Sequence, residues 1–367
     1  MLSDINSAHT QKWAIALSQN ELEIAIFSLS NSTCDWYSEY NISLLSSSNI
    51  SSNTFSSILF SKLSYLKLIP ALKKAITNFK PDIIHAHYAS SYGLMGMLTK
   101  FHPFILSVWG SDVYDFPNKN YLNKLILKYN LKKADKILST SNVMAIETAK
   151  YTSKKIDITP FGIDLNIFKP QYINNLFNPN DIVIGTIKSL EKKYGIDYLL
   201  KSFKCLKDKY PNLPLKLLIV GGGSQKDELL TLANALNINE DTIFTGKVDQ
   251  IAVPIYHNML SVYVSLSILN SESFGVSAIE ASACEKPVVV SDVDGFKEVV
   301  EHRVTGIIVP KCNIEETVKA IEFFILDKDQ SLKFGSNGRI RVSKLYNWED
   351  NLQSMIQIYK NVLISKI

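Results

Sequence analysis

Apolar residues occur along the chain in short continuous runs that are separated by longer segments with helical periodicity. Within the first half, such runs predict strands at 23–28, 82–87, 104–109 and 136–140. Within the second half, they predict strands at 182–187, 215–220, 242–245 and 262–266, and a turn that leads into a strand at 286–292. Because helical patterns lie between these runs, the sheets should be parallel and doubly wound, which indicates an α/β protein.

The length of the chain predicts more than one domain. A chain of 367 residues exceeds what one hydrophobic core usually serves. Pro160, Gly162 and Pro170 punctuate the middle of the sequence and predict a linker near 165–180. Two similar α/β domains with a cleft between them are therefore expected.

The beginning of the chain is less regular than the rest. Ahead of a helix at 11–19 stand only Met1-Leu2-Ser3, so either the first strand is very short or the true start lies upstream. Residues 30–60 are rich in Ser and Asn and predict a loose insertion with a short strand near 42–45. Residues 61–80 predict a basic amphipathic helix that is interrupted at Pro70.

Two glutamates flank a predicted strand–loop–helix junction, Glu272 in the loop and Glu280 in the helix that begins at Gly275. If the whole segment were helical, they would lie about 12 Å apart along the axis, too far for a hydrolytic carboxylate pair. A helix start between them favours an anion such as a diphosphate, and Gly275 would allow a close approach. The spacing outlines a nucleotide-sugar site. Two surface glutamates on an ordinary helix are the alternative.

The sequence that follows this junction gives it a family resemblance. A turn and strand at 286–292 precede Gly295-Phe296-Lys297-Glu298 and Thr305-Gly306-Ile307-Ile308. This order resembles the Glu-x7-Glu block of retaining glycosyltransferases of family four, which have the GT-B fold. The resemblance implies two Rossmann-like, doubly wound domains facing across a cleft. It assigns 1–165 and 346–367 to an acceptor domain, with the last helix crossing back, and 175–345 to a donor domain.

The resemblance also implies roles for residues of the donor domain. Glu272, with the backbone of Ser273, Phe274, Gly275 and Val276, would hold the donor sugar, and Glu280 would hold the ribose. The donor-side set is completed by Gly185, Gly222, Gly223 and Val248.

Lysines are expected where the family places an arginine and a lysine against the diphosphate. Without gaps, these family positions fall on Ser189 and Tyr194. Lys188 and Lys193, one residue earlier in each case, are predicted to supply the charges that a leaving diphosphate requires. Lys192 is a rival, and solvated surface lysines are the alternative interpretation.

The acceptor loop of the family resembles Trp109-Gly110-Ser111-Asp112, with tryptophan in place of a histidine. His9, His87 and Asp112 are therefore the candidates for acceptor contacts. For His85, a buried structural role is at least as well supported.

Neither a cofactor nor a metal is predicted. The turn at Gly221-Gly222-Gly223 lacks the last glycine of a dinucleotide fingerprint, because Lys226 occupies that position. Asp292-Val293-Asp294 matches a metal-binding signature, but it follows a buried strand, and Asp294 is better explained as a helix cap. The four cysteines show neither zinc nor disulfide spacing.

These observations predict a retaining, metal-independent hexosyltransferase that uses a nucleotide-sugar donor. A GT-B nucleotide-sugar epimerase and a non-catalytic nucleotide-sugar-binding relative are the alternatives. The acceptor would be a glycan or lipid-linked glycan in surface polysaccharide or lipopolysaccharide assembly; nucleic acid is not an expected partner.

The distribution of charge along the chain predicts where in the cell the protein acts. Residues 51–150 hold thirteen lysines and five acidic residues, a net charge of +8. With the basic stretch from Lys62 to Lys80, this predicts a cytoplasmic protein held peripherally on the anionic inner face of the cell membrane. Lysines that merely confer solubility are the alternative.

Overall fold

The computed structural model describes residues 1–33, 35–45, 67–173 and 176–364. The chain forms two compact units. The first contains Met1–Phe161 together with Glu349–Ile367, and the second contains Gly162–Trp348.

The first unit is built from short parallel strands and the helices that connect them. Its strands are β1 (Ala25–Ile26), β2 (Ser43–Leu44), β3 (Ile84–His87), β4 (Phe104–Val108), β5 (Lys136–Ser139) and β6 (Ile156–Ile158). Its helices are α1 (Ala8–Gln19), α2 (Ile69–Phe79), α3 (Ser91–Thr99), α4 (Ser111–Tyr114), α5 (Tyr121–Lys133) and α6 (Asn142–Ala149).

Leu2 joins the two sheets of this unit. β1 pairs with β2, and β3 to β6 form a four-stranded parallel sheet in chain order. Leu2 bridges Phe27 on one side and Ala86 on the other, both in parallel orientation. The predicted first strand is thus reduced to one bridging residue. It lies at the centre of a Rossmann-like strand order, in which β1 and β2 lie on one side of it and β3 to β6 on the other.

Helix α2 differs from its prediction. Pro70 lies in its first turn, where a missing N–H costs nothing, so the proline begins the helix rather than interrupting it. Leu68 and Leu72 are buried in the core of the first unit, while Lys67, Lys73, Lys74 and Lys80 are exposed. The apolar side of this helix therefore faces the protein core. The remainder of the predicted helix, 61–66, lies outside the described residues.

The second unit contains a larger parallel sheet. Its strands are β7 (Ile182–Ile187), β8 (Leu215–Val220), β9 (Thr242–Gly246), β10 (Val262–Ser265), β11 (Val288–Ser291) and β12 (Gly306–Val309). Its helices are α7 (Ile196–Lys209), α8 (Lys226–Ala235), α9 (Val253–Met259), α10 (Val276–Ala283), α11 (Asp294–Val299), α12 (Ile314–Leu326) and α13 (Lys328–Leu345). The last helix, α14 (Trp348–Ile364), continues into the first unit.

The strand order of this sheet is β9-β8-β7-β10-β11-β12, all parallel. Numbered within the unit, this is the doubly wound order 3-2-1-4-5-6, which reverses between β7 and β10. Leu217, Val264 and Val289 are among the fully buried residues of its core. The predicted α/β class and Rossmann-like organisation are confirmed.

No helix in the described ranges is both long and apolar enough to cross a membrane.

Candidate active site

The candidate site lies at the carboxyl ends of β7 and β10, where the order of the second sheet reverses. Ligands of open α/β sheets bind at such a switch point. Lys188 immediately follows β7, and Glu272 lies in the loop between β10 and α10. The topology therefore brings together two predicted residues that are separated by more than eighty positions.

Lys188 and Glu272 form a buried ion pair. Their Nζ and Oε2 atoms are 2.5 Å apart, and the side chains are 13% and 10% exposed. Burial lowers the pKa of Lys188, but the carboxylate of Glu272 and the hydroxyls of Tyr263 and Tyr194 outweigh it, so that the net shift is upward. The lysine is therefore held as a cation.

Tyr194 brings the second predicted cation beside the first. The ammonium of Lys188 lies 4.6 Å from the centroid of the Tyr194 ring, and that of Lys193 lies 5.0 Å from it. Lys192, the rival candidate, is exposed. Both predicted lysines thus share one aromatic ring, which occupies the position that the resemblance gave to the family's lysine.

The glycine turn after β8 packs against the loop that carries Lys188. A Cβ at Gly221 would lie 2.0 Å from the carbonyl oxygen of Lys188, and one at Gly223 would lie 2.4 Å from that of Leu190. Gly221 also has a φ of 139°, a backbone angle that residues other than glycine rarely adopt. These glycines therefore allow two strand-end loops to meet.

The other glycines of the predicted set have different surroundings. A Cβ at Gly222 would contact Lys247 at 3.4 Å, which places this residue beside the loop that contains Val248. Gly185 lies within β7, and a Cβ there would meet Leu218 and Leu260 at 2.5 and 2.6 Å. Its lack of a side chain serves strand packing, so its position gives no support to the predicted donor contact.

Helix α10 begins within one residue of the predicted start. Gly275 is its N-cap, with φ 81°, and the helix runs from Val276. Glu272 therefore lies in the loop, as predicted, so the distance of about 12 Å that a fully helical 272–280 segment would give does not describe its separation from Glu280. The Oε1 atom of Glu272 instead accepts a hydrogen bond from the Gly275 N–H at 3.2 Å.

Packing fixes the loop before α10. A Cβ at Gly275 would meet the Phe296 ring at 2.7 Å, and one at Gly295 would meet the carbonyl oxygen of Glu272 at 2.2 Å. Ser273 and Phe274 are buried, and the Phe274 ring contacts that of Tyr346 edge-on at 5.3 Å. These contacts fix the backbone that was predicted to hold the donor sugar.

Glu280 lies on the buried side of α10. Its side chain is 8% exposed, and its Oε2 atom is 3.4 Å from Nε2 of His257, which is fully buried on α9. The ring of His257 lies edge-on to Phe168, with centroids 6.1 Å apart. Sequence reasoning missed His257, because no spacing links it to a carboxylate 23 residues later.

The Asp-x-Asp segment has a cationic partner of its own. Lys297 Nζ lies 2.5 Å from Asp292 Oδ1 and 3.8 Å from Asp294 Oδ1. Val293, not Asp294, is the N-cap of α11, and Asp294 occupies the first turn, so the predicted cap was wrong by one residue.

Two of the predicted acceptor residues cluster at the carboxyl end of the first sheet. His87 ends β3 and stacks on Trp109, with ring centroids 4.6 Å apart. His9, on α1, contacts the edge of Trp109 at 5.8 Å and stacks on Phe161 at 3.8 Å. The tryptophan that replaced the family's histidine therefore supports both histidines.

Asp112 has a structural environment. Its carboxylate is fully buried and accepts backbone N–H groups of Ala89, Trp109 and Gly110 at 2.6, 3.1 and 2.8 Å. Burial raises its pKa, and these hydrogen bonds partly offset the shift. The predicted acceptor contact by Asp112 does not fit this position, because its oxygens already hold two loops together.

Neutral histidines should make the first unit sensitive to acid. Burial lowers the pKa of His85 to about 3 and that of His9 to about 4. Because the unfolded chain takes up these protons near pH 6.5 and the folded chain does not, stability should fall as the pH drops from about 6.5 towards 4. The slope is about 1.4 kcal/mol per pH unit per histidine.

Thermal unfolding measured between pH 7 and pH 4 checks this. The loss should be smaller for His85→Gln than for the unchanged chain. Equal pH dependence in the two proteins would contradict the argument.

Comparison with known proteins identifies the family. The family model "Glycosyl transferases group 1" matches residues 169–341, and "Glycosyl transferase 4-like" matches residues 1–141. The chain belongs to the GT-B glycosyltransferases. Both halves of this glycosyltransferase are thus accounted for, and the predicted GT-B glycosyltransferase family is confirmed.

Individual relatives of this glycosyltransferase cover most of its length. N-acetyl-alpha-D-glucosaminyl L-malate synthase of Bacillus anthracis is 25% identical over 77% of this chain and 75% of its own length. The capsular polysaccharide biosynthesis glycosyltransferase CapM of Staphylococcus aureus is 29% identical over 65% and 60%. The crystal structure of Anabaena HepE in complex with UDP and glucose has a TM-score of 0.79 at 16% identity, covering 98% of each chain, which shows the shared fold.

Proposed function

We propose that this glycosyltransferase moves a hexose from a nucleotide-diphosphate sugar to a glycan acceptor with retention of anomeric configuration. The observation that carries the proposal is the buried Lys188–Glu272 pair at the sheet's switch point, beside the start of α10. An ammonium has three donors, so Lys188 can keep Glu272 and also bind a phosphate oxygen. HepE, a structural neighbour that was crystallised with UDP and glucose, supports this donor class.

The proposed roles divide between the two ends of the donor. Lys188 and Lys193 neutralise the diphosphate, and the free N–H groups at the start of α10 add partial positive charge. Glu272 accepts hydroxyls of the sugar, while Glu280 accepts those of the ribose. Val248 contacts the base through its main chain. His9 and His87 would contact the acceptor from the first unit.

We propose that the transfer step is a front-face displacement, the mechanism that the resemblance to retaining family-four enzymes implies. The acceptor hydroxyl oxygen bonds to the anomeric carbon on the face from which the diphosphate leaves. The bond between that carbon and the phosphate oxygen breaks, and its electron pair stays on the departing phosphate oxygen. A phosphate oxygen takes the proton of the acceptor hydroxyl. The chain's contribution is positioning and stabilisation of the leaving charge.

A screen of nucleotide sugars by thermal unfolding tests the donor assignment. A ligand present at 100 times its Kd should add about 2.7 kcal/mol of stability. The product formed from the best donor should then carry the same anomeric configuration by NMR. No stabilisation by any nucleotide sugar would contradict the proposal; an inverted product would contradict retention alone.

The same assays separate the competing functions. A nucleotide-sugar epimerase would convert its donor to an epimer in the absence of any acceptor. A non-catalytic relative would be stabilised by the nucleotide, but it would not form free nucleotide from a nucleotide sugar.

We also propose that transfer needs no metal ion. Lys297 forms an ion pair with Asp292 and lies within 3.8 Å of Asp294, and Lys188 and Lys193 supply cations at the diphosphate. Activity should therefore be unchanged in excess EDTA. Loss of activity with EDTA, followed by rescue with Mg²⁺ or Mn²⁺, would show that this assignment is wrong.

The acceptor is proposed to be a lipid-linked or lipopolysaccharide-type glycan at the inner face of the cell membrane, with the protein attached peripherally. The +8 charge of residues 51–150 supports this. So does the similarity to a glycosyltransferase of capsular polysaccharide biosynthesis.

A further inference from the structure

Helix α5 has one side anchored firmly in the first unit. Leu127 and Leu131 belong to its hydrophobic core. Asn130 Nδ2 donates to the Ala89 carbonyl at 2.9 Å, and Asn123 Nδ2 donates to the Phe116 carbonyl at 3.0 Å. These contacts fix the rotation of the helix about its own axis, so the residues on the opposite side must face outward.

The outward side of α5 is unusually apolar. Tyr121, Leu122, Leu125 and Tyr129 are 75%, 64%, 43% and 49% exposed. Tyr121, Leu125 and Tyr129 are spaced four residues apart, and Leu122 is adjacent to the first, so all four lie within an arc of about 100°. Scattered exposed apolar residues need no explanation, whereas four on one face of a helix indicate an interaction surface.

Lysines surround this face and no acidic residue interrupts them. Lys119, Lys124, Lys128, Lys132 and Lys133 are all exposed, and the sequence has no Asp or Glu from 116 to 134. On the helical wheel, Lys124 and Lys128 border one edge of the apolar arc and Lys133 the other, while Lys132, in the last turn, lies within the arc. The ammonium of Lys133 lies 5.6 Å from the centroid of the Tyr129 ring.

The pattern selects one kind of partner. A helix face with leucines and tyrosines between lysines suits a lipid–water interface, where leucines enter the acyl boundary and tyrosines lie at headgroup level. Lysine stems can extend along the apolar layer while their ammonium groups reach anionic headgroups. Symmetric pairing with a second copy would instead place lysines against lysines.

We propose that the outward face of α5 docks this protein on an anionic lipid bilayer. This rests on the proposed membrane-borne acceptor and moves the docking surface away from the basic stretch at 62–80. In the described part of that stretch, the apolar side chains of α2 pack into the core, which leaves lysines without an apolar face to accompany them.

Sedimentation of the full-length protein with vesicles tests the proposal. Phosphatidylcholine vesicles with about 30% phosphatidylglycerol should bind the protein, and pure phosphatidylcholine vesicles should not. Binding should weaken as salt rises from 0.1 to 1 M, because the Debye length falls from about 10 to about 3 Å. Leu122→Ser/Leu125→Ser and Lys124→Ser/Lys128→Ser should each weaken binding by about tenfold.

Matched variants elsewhere serve as controls. Leu332 and Ile340 on α13 are 61% and 64% exposed, so Leu332→Ser/Ile340→Ser removes similar apolar surface. Lys73→Ser/Lys74→Ser removes two exposed charges from α2. Both controls should bind vesicles as the unchanged protein does.

Three results would overturn the docking proposal: no binding to anionic vesicles, equal losses in the control variants, or a change of oligomeric state in the α5 variants instead of a change in vesicle binding. Nucleotide-sugar stabilisation should be unaffected in all four variants. If that stabilisation persists while vesicle binding is absent, only the docking surface is wrong; if it is absent from the unchanged protein, the proposed function fails.

Discussion

Replacement of Lys188 by alanine should lower kcat/KM by about 10²–10³-fold, comparable to the loss of a preorganised donor at a developing oxyanion. The ammonium is held as a cation in a nearly buried position, where a charge acts on the leaving diphosphate with little screening. The same change should lower stability by about 3–5 kcal/mol, because it leaves the Glu272 carboxylate buried without its partner.

A second variant separates these two effects. Lys188→Met/Glu272→Gln removes both charges and should recover most of the stability while remaining inactive. Lys192→Ala, an exposed neighbour, should keep full activity. Comparison of chemical unfolding with initial rates for the three proteins checks the argument. Unchanged kcat/KM in a folded Lys188→Ala protein would remove Lys188 from the site.

Much of the second unit could be predicted because its signals are local. The strands at 182–187 and 215–220 match the observed β7 and β8 residue for residue, since each is a mainly apolar run between polar turns. By contrast, β6 (Ile156–Ile158) was missed. It has three half-buried residues, too few to establish a pattern.

Other features depend on contacts that no local pattern reports. A glycine is required at position 275 because its φ is positive and because a Cβ there would meet the Phe296 ring, twenty-one residues away in the chain. Asp112 has the residue type and the sequence position of an acceptor contact. However, its carboxylate oxygens already accept hydrogen bonds from three backbone N–H groups of two loops. Sequence predicts which residue types are present at the strand ends; packing decides which of them remain available to a ligand.

The pairing of Lys188 with Glu272 shows the same division. The residues were assigned separately, one to the diphosphate and the other to the sugar. Their contact at 2.5 Å arises because β7 and β10 are neighbours in the sheet, although β8 and β9 separate them in the chain. A cation and an acceptor that hold each other in place are preorganised for the two halves of one donor.

Glu280→Ala should weaken the binding of the free nucleoside diphosphate by about 10–150-fold, which corresponds to about 1.5–3 kcal/mol. The Glu280 carboxylate is nearly buried, and a ribose hydroxyl would give it a second hydrogen bond beside that to His257. His257→Phe should produce a smaller loss, because it removes the group that orients the carboxylate and not the acceptor itself. Both proteins should keep the pairing of Lys188 with Glu272.

Deoxynucleotides make this test specific to the ribose. The unchanged protein should bind a 2′- or 3′-deoxynucleoside diphosphate more weakly than the parent compound, by a factor close to that caused by Glu280→Ala. The Glu280→Ala protein should not distinguish the two ligands, since the acceptor that reads the hydroxyl is gone. Equal discrimination by both proteins in calorimetric titrations would place the ribose elsewhere, and the buried Glu280–His257 contact would then be a feature of the core.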